Sequence, residues 1–244
     1  MVSTPIPSRI SFAQPENRAA SIYCRLRAAP SPEPAGRIGS VATFLVPILG
    51  GVRSGLLGGT FDPPHIAHLL AGEVAFRQLG LDRVIFLPAG SPWQKADRRV
   101  SAAKDRWRMT QIATSGVSYF VPDDREVHRD GWTYTIDTLA TFDPSEEIVL
   151  ILGADAARGL PSWEKADQVL ERVRVAVLPR PGTERAEVES AIGAPTWLDM
   201  PALPVSGTMI RQRFTAGTGV RFLIPDGVYD YMVEKNLYQA NAQG

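Results

Sequence analysis

The sequence predicts an α/β protein built on a doubly wound parallel sheet with helices on both faces. Three observations carry this. Short runs are apolar at consecutive positions, so both faces of their strands must be covered. Longer amphipathic segments separate them. Several of the runs end in glycine or proline, as strands do where they enter a ligand-facing turn. The first run, Leu56-Leu57-Gly58-Gly59, is a buried strand entering a glycine turn. Ile66 to Leu79 places Leu69, Leu70, Ala71, Val74, Ala75 and Leu79 at helical spacing, and Gly80 stops it. Val84-Ile85-Phe86-Leu87 is a second strand, closed by Pro88. Ala102 to Thr114 and Thr135 to Phe142 read as helices. Ile148 to Leu152, Val173 to Leu178 and Thr196 to Leu198 read as further strands. Gly227 to Val233 is an apolar-striped closing helix. Strands alternating with helices in this order predict a Rossmann-like sheet, whose ligands sit beyond the carboxyl ends of the strands.

Composition narrows the function classes. The 244 residues carry 26 basic and 26 acidic side chains, a net charge of zero, so nothing argues for a nucleic-acid or membrane surface. One cysteine, Cys24, excludes an internal disulfide and any multi-cysteine metal site, and fits a reducing, cytoplasmic setting. Histidine chemistry is confined to His65, His68 and His128.

The charge is unevenly spread. Residues 1–53 hold six arginines, no lysine, only Glu16 and Glu33 as acids, and seven of the 20 prolines. They form a Pro/Arg/Ser-rich leader, expected to be poorly ordered. Its apolar run Val41 to Gly51 contains Pro47 and is shorter than the roughly 20 residues a bilayer span needs. A transit peptide would fit the arginine-rich composition. The reading taken is an incidental extension, with a folded domain over 54–240.

The chemistry concentrates in Gly58-Gly59-Thr60-Phe61-Asp62-Pro63-Pro64-His65-Ile66-Ala67-His68-Leu69, between the first strand and the first helix. Gly58 and Gly59 allow a ligand to approach the backbone. His65 at the helix start and His68 one turn later face the same side. A helix N-terminus attracts phosphate through its amides and dipole, and two imidazoles beside it can donate hydrogen bonds to phosphoryl oxygens. The same two histidines also have the spacing of a metal pair, without an evident third ligand. The segment is neither a Walker loop nor a G-x-G-x-x-G turn.

This stretch resembles the T/H-x-G-H signature of nucleotidyltransferases, and in particular that of the bacterial nicotinate-nucleotide adenylyltransferase family, which usually has Gly where this chain has Ala67. Later segments agree in order: Leu87 to Lys95, Asp130 to Leu139, Gly153-Ala154-Asp155-Ala156 followed by Pro161-Ser162-Trp163, and Val205 to Arg211. The resemblance spans about residues 54–240 and implies a nucleotidyltransferase domain there.

What it implies is specific. ATP and nicotinate mononucleotide would react to give deamido-NAD and pyrophosphate, in NAD biosynthesis. His65 and His68 would stabilise charge on the α-phosphoryl group, with Gly58, Gly59, Thr60 and Phe61 lining the phosphates. Arg211, on a short helix capped by Ser206 or Thr208, would hold the β- and γ-phosphates. Asp155 would lie near the adenosine, or be merely an acid at a helix N-terminus. Trp163 would stack on the pyridine ring and Thr135 offer its amide to the nicotinate carboxylate, although both also read as packing residues. Lys95 is open between phosphate neutralisation and a solvated loop. Mg²⁺ would arrive through ATP oxygens, with no dedicated protein metal site. Nicotinamide mononucleotide or phosphopantetheine as acceptor, an inactive nucleotide-binding regulator, and a homo-oligomer all stay open. His128, without a motif around it, reads as an ordinary polar residue.

Overall fold

A computed structural model describes residues 51–91 and 100–239. The leader apart from its last three residues, with Cys24, and Lys95 lie outside the described residues. Six parallel strands form one sheet in the order β3-β2-β1-β4-β5-β6. They are β1 (Arg53–Gly59), β2 (Arg83–Pro88), β3 (Phe120–Pro122), β4 (Glu147–Gly153), β5 (Arg174–Leu178) and β6 (Thr196–Trp197). The chain winds outward from β1 to β2 and β3, then returns to β4 on the other side of β1. Connections from these two central strands leave in opposite directions, which opens a crevice at their carboxyl ends. Gly59 pairs with Pro88 and Gly153 with Leu178, so those ends are level with their neighbours.

Strand alternation fills both faces. Leu56, Ile85, Leu87, Ile148, Leu150 and Leu152 point one way, against Ala157, Leu160, Val169 and Val188. Leu57, Val84, Phe86, Val149, Ile151 and Ala176 point the other way, against Ala71 and Ala75 of helix α1 (Ile66–Leu79). Gly80 ends α1 in the left-handed region, φ 60°, as its sequence position requires.

The remaining helices are α2 (Ala103–Thr114), α3 (Thr135–Leu139), α4 (Ala154–Gly159), α5 (Ala166–Arg172), α6 (Arg185–Ile192), α7 (Gly207–Thr215) and α8 (Asp226–Glu234). A third apolar cluster joins α1, α2, α7 and α8 through Ala67, Met109, Ile210, Val228 and Met232. The predicted packing role of the closing helix is thereby met.

Three expectations are adjusted. β1 begins at Arg53 rather than Leu56, because its polar first residues pair with Glu147 and Ile148. α3 stops at Leu139, short of Phe142; the Thr141 hydroxyl donates to the Thr138 carbonyl at 2.7 Å, and Pro144 lies just beyond. The edge strand β3, three residues ending in proline, carries no periodic signal that sequence reading could detect. Among the described residues, no helix is long and apolar enough to cross a membrane.

Candidate active site

Two cavities open at the carboxyl ends of β1 and β4. One, of about 400 Å³, is lined by Gly58, Gly59, Thr135, Trp163 and Leu203 among others. The other, of about 520 Å³, is lined by His65, Ser206, Thr208 and Arg211 among others. Thr60, His68, Asp155, Arg180 and Pro181 line both, so the two are halves of one crevice.

The β1–α1 turn is built tightly. A side chain at Gly59 would come within 3.2 Å of the Phe61 ring, whereas one at Gly58 would meet nothing within 4 Å. Gly59 therefore lets Phe61 fold back, and Gly58 leaves open space beside the backbone. Phe61 adopts φ 48° and is 1% exposed, packed against Phe86. Its ring meets that of His68 edge-on at 4.8 Å. Although its residue borders the cavity that His65 and Arg211 line, the side chain supports His68 from the core.

His65 occupies the cap position of α1, and its amide donates to Nδ1 of His68 at 3.2 Å. An Nδ1 that accepts holds the proton of the neutral His68 ring on Nε2. The two rings stack with centroids 3.6 Å apart. His65 is buried, and Nδ1 of its ring has no hydrogen-bond partner among the described residues. Burial, reinforced by the positive charge of Arg180, lowers its pKa to about 4. His65 is a neutral ring at ordinary pH.

Arg211 arrives from the far end of the chain. Ser206 is the cap of α7, its hydroxyl accepting from the Met209 amide at 3.2 Å. Thr208 instead accepts from Nη2 of Arg211 at 3.2 Å, so of the two candidate caps only Ser206 is one. Nη1 of Arg211 donates to the Asp62 carbonyl at 2.7 Å. This approach requires Gly207, where a side chain would lie 2.8 Å from that carbonyl. His65, His68 and Arg211 thus line the same cavity.

On the opposite wall, Asp155 is the second residue of α4, two residues past the end of β4. A side chain at Gly153 would meet Oδ1 of Asp155 at 2.8 Å and Nε of Arg180 at 3.1 Å. Trp163 packs partly on the core and also lines the 400 Å³ half with Thr135, the first residue of α3. The packing reading of Trp163 is thereby met, and its ring also borders the cavity. His128 is exposed and lies 3.2 Å from Asp124, away from either cavity.

Sequence reading missed several groups. Arg180, in Leu178-Pro179-Arg180-Pro181-Gly182 directly after β5, borders both cavities; a cation at a strand's carboxyl end was the available signal. Arg106 is 1% exposed and donates to the carbonyls of Ser101, Thr60, Ala89 and Gly90. It ties the loops after β1 and β2 together, and its place on the buried stripe with Met109 and Ala113 would have marked it. Glu126, 7% exposed in the wall of the 400 Å³ cavity, accepts from the Thr138 hydroxyl at 2.6 Å, and burial raises its pKa.

Comparison with known proteins agrees with this geometry. The family described as cytidylyltransferase-like matches residues 56–213. A protein of Saccharopolyspora erythraea named probable nicotinate-nucleotide adenylyltransferase is 40% identical over 190 residues, covering 77% of this chain and 90% of the relative. One of the same name from Dehalococcoides mccartyi is 37% identical over 198 residues, covering 77% and 97%. Among solved structures, Plasmodium falciparum nicotinic acid mononucleotide adenylyltransferase complexed with NaAD is similar in fold, with a TM-score of 0.67 at 19% identity over 77% of this chain and 97% of that one.

Proposed function

Since this chain belongs to the cytidylyltransferase-like family, and within it groups with the nicotinate-nucleotide adenylyltransferases, we infer that it transfers the adenylyl group of ATP to nicotinate mononucleotide, giving deamido-NAD and pyrophosphate. It is an enzyme of NAD biosynthesis. The observation that carries this reading is the shared crevice: a polar half bearing two imidazoles and a guanidinium joins a half with an aromatic wall, and the two meet at Thr60, His68, Asp155 and Arg180.

The mononucleotide phosphate attacks the α-phosphorus in line. A bond forms between its oxygen and that phosphorus, the α–β bridging bond breaks, and pyrophosphate takes the electron pair. The attacking phosphate is already ionised, so no general base is assigned. No protein nucleophile is needed, and catalysis consists of positioning and charge stabilisation. His68 donates from Nε2 to an α-phosphoryl oxygen as charge builds there. His65, neutral and stacked on it, is the second imidazole of the pair. The α1 amides, Gly58, Gly59, Thr60 and the backbone of Phe61 line the phosphate path. Arg211 holds the departing pyrophosphate through a planar fork, with Ser206 and Thr208 shaping its helix start. Arg180 adds a cation where the two halves meet. Asp155 receives the ribose side of the adenosine, Trp163 stacks on the pyridine, and the Thr135 amide meets the nicotinate carboxylate. Lys95, outside the described residues, is assigned to phosphate neutralisation on the resemblance alone.

Mg²⁺ fits this donor set as an ion carried on the nucleotide. Among the described residues no cluster of three His, Cys, Asp or Glu side chains could hold one, and Asp155 is the carboxylate bordering both halves of the crevice. When bound, it would neutralise charge on the phosphate oxygens.

Pyrophosphate release from ATP on adding nicotinate mononucleotide tests the function, with nicotinamide mononucleotide alongside. Turnover with neither acceptor would overturn it. We assign the activity to residues 54–240; a chain starting at Arg53 is expected to match the full-length rate.

A further inference from the structure

The loop carrying the histidines is held by a carboxylate, and the carboxylate is held from the far end of the chain. Asp62 is 5% exposed. Its Oδ1 accepts from the Tyr238 hydroxyl at 2.6 Å and its Oδ2 from the Ser101 amide at 3.3 Å. Nη1 of Arg211 stands 3.8 Å from Oδ2 while bonding the Asp62 carbonyl. Tyr238 is itself fixed: its carbonyl accepts from the Thr215 hydroxyl of α7, and its ring lies edge-on to Phe214. Burial and the neighbouring Asp62 charge push the Tyr238 hydroxyl well above the usual tyrosine range, so it stays a donor.

We propose that Tyr238 is a positioning residue for catalysis: its hydroxyl satisfies the buried Asp62 carboxylate and so leaves Arg211 turned toward the phosphate-side cavity. A buried carboxylate deprived of a donor recruits the nearest cation that can move. Arg106 is committed to four backbone carbonyls. Arg211, already 3.8 Å away, is the cation that closes in, and its fork is then spent on Asp62 instead of ATP. The inference rests on Arg211 being the triphosphate-side cation. It makes the turn carrying Tyr238 part of the ATP site, 176 residues from the loop it steadies.

Steady-state constants for both substrates test it. Arg211→Ala is expected to raise the KM for ATP about a hundredfold; an unchanged KM would refute the site reading, and the latch with it. Tyr238→Phe is expected to raise the KM for ATP about tenfold, the scale of one hydrogen bond to a charged group, with the KM for nicotinate mononucleotide unchanged. An unchanged KM for ATP in Tyr238→Phe, when Arg211→Ala does raise it, would overturn the latch alone. The double variant should be no worse than Arg211→Ala, because the hydroxyl acts through Arg211; additive losses would refute that route. Tyr231→Phe removes a similar tether, from α8 to Asp105 at 2.9 Å, outside both cavities. It should lower the melting temperature and leave the KM for ATP alone; a matching rise would make the Tyr238 effect mere loosening. Thr215→Val, a surface change on α7, should raise the KM for ATP in the same direction but less, and no rise would count against the latch even if Tyr238→Phe failed to fold.

Discussion

The two rims of the sheet use charge in opposite ways. At the amino ends of the strands, cations meet carboxylates. Arg83 bonds Ser54 at 2.7 Å and Glu146 at 2.6 Å, Ser54 also donates to Glu146, and Arg53 and Arg174 pair with Glu147 at 3.1 and 3.4 Å. Around the crevice, beyond the carboxyl ends of β1, β2 and β5, cations meet carbonyls or open space, and the Arg125–Asp123 pair at 2.6 Å beyond β3 lies outside it. Arg106 bonds only backbone oxygens, Arg211 bonds the Asp62 carbonyl more closely than its carboxylate, and Nδ1 of His65 is buried without a partner among the described residues. A closed ion pair serves the fold. A guanidinium left short of a carboxylate retains affinity for an anion from outside, and its lost stability is the cost of that function.

If this division is real, substitutions at the two rims separate cleanly in their effects. His68→Ala is expected to lower kcat by about 10²-fold or more, the scale of one oxyanion donor, with little change in melting temperature. Unchanged pyrophosphate release would remove His68 from the mechanism and blur the contrast. Glu146→Ala is expected to do the reverse. It strips Arg83 and Ser54 of their acceptor and should cost roughly 2–3 kcal/mol of stability in urea titration, with kcat/KM unaltered in the folded protein. A fall in kcat/KM as large as the loss of stability would show that the amino rim also tunes the crevice.

The pH dependence sharpens the contrast from inside one residue. His65 has a folded pKa of about 4 against an ordinary 6.5. Above pH 6.5 the ring is neutral folded and unfolded alike, and it adds no pH dependence. As pH falls from 6.5 toward 4, the unfolded chain binds a proton that the folded one refuses, so stability drops, by at most about 1.4 kcal/mol per pH unit. Melting curves of His65→Gln should be flatter than those of the parent over that window. Parallel curves would mean that the ring protonates without resistance and that its burial carries no electrostatic cost.

Much of this was legible in the sequence, for physical reasons that differ by element. β1, β2, β4 and β5 announced themselves because both their faces are buried, and α1 because its apolar stripe ends at Gly80. The histidine pair was legible through local spacing, and Arg211 through the resemblance of Val205 to Arg211 to a family element. Arg180 and Arg106 left only weak local signals, a cation after a strand and an arginine on a buried stripe, and Tyr238 left none, because a single sequence carries no term for a contact such as Tyr238 to Asp62, 176 residues apart. β3 was invisible because three residues give too few positions for a period.

Ala67 gives the smallest and most discriminating test, since its methyl belongs to both regimes. It sits in the first turn of α1, 5% exposed, inside the cluster with Met109 and Ile210, and it also borders the cavity. If the methyl is core, Ala67→Gly should lower stability by roughly 1 kcal/mol, through lost packing and the looser glycine backbone, and leave the KM for ATP nearly unchanged. If the methyl is a wall of the site, removing it should shift that KM more than it shifts stability. The first outcome is expected, because the side chain is almost wholly enclosed by apolar neighbours while the adjacent open space lies over Gly58, where a side chain would touch nothing. A residue can thus border a cavity and still answer to the core, and the kinetic and thermal measurements on one variant tell the two apart.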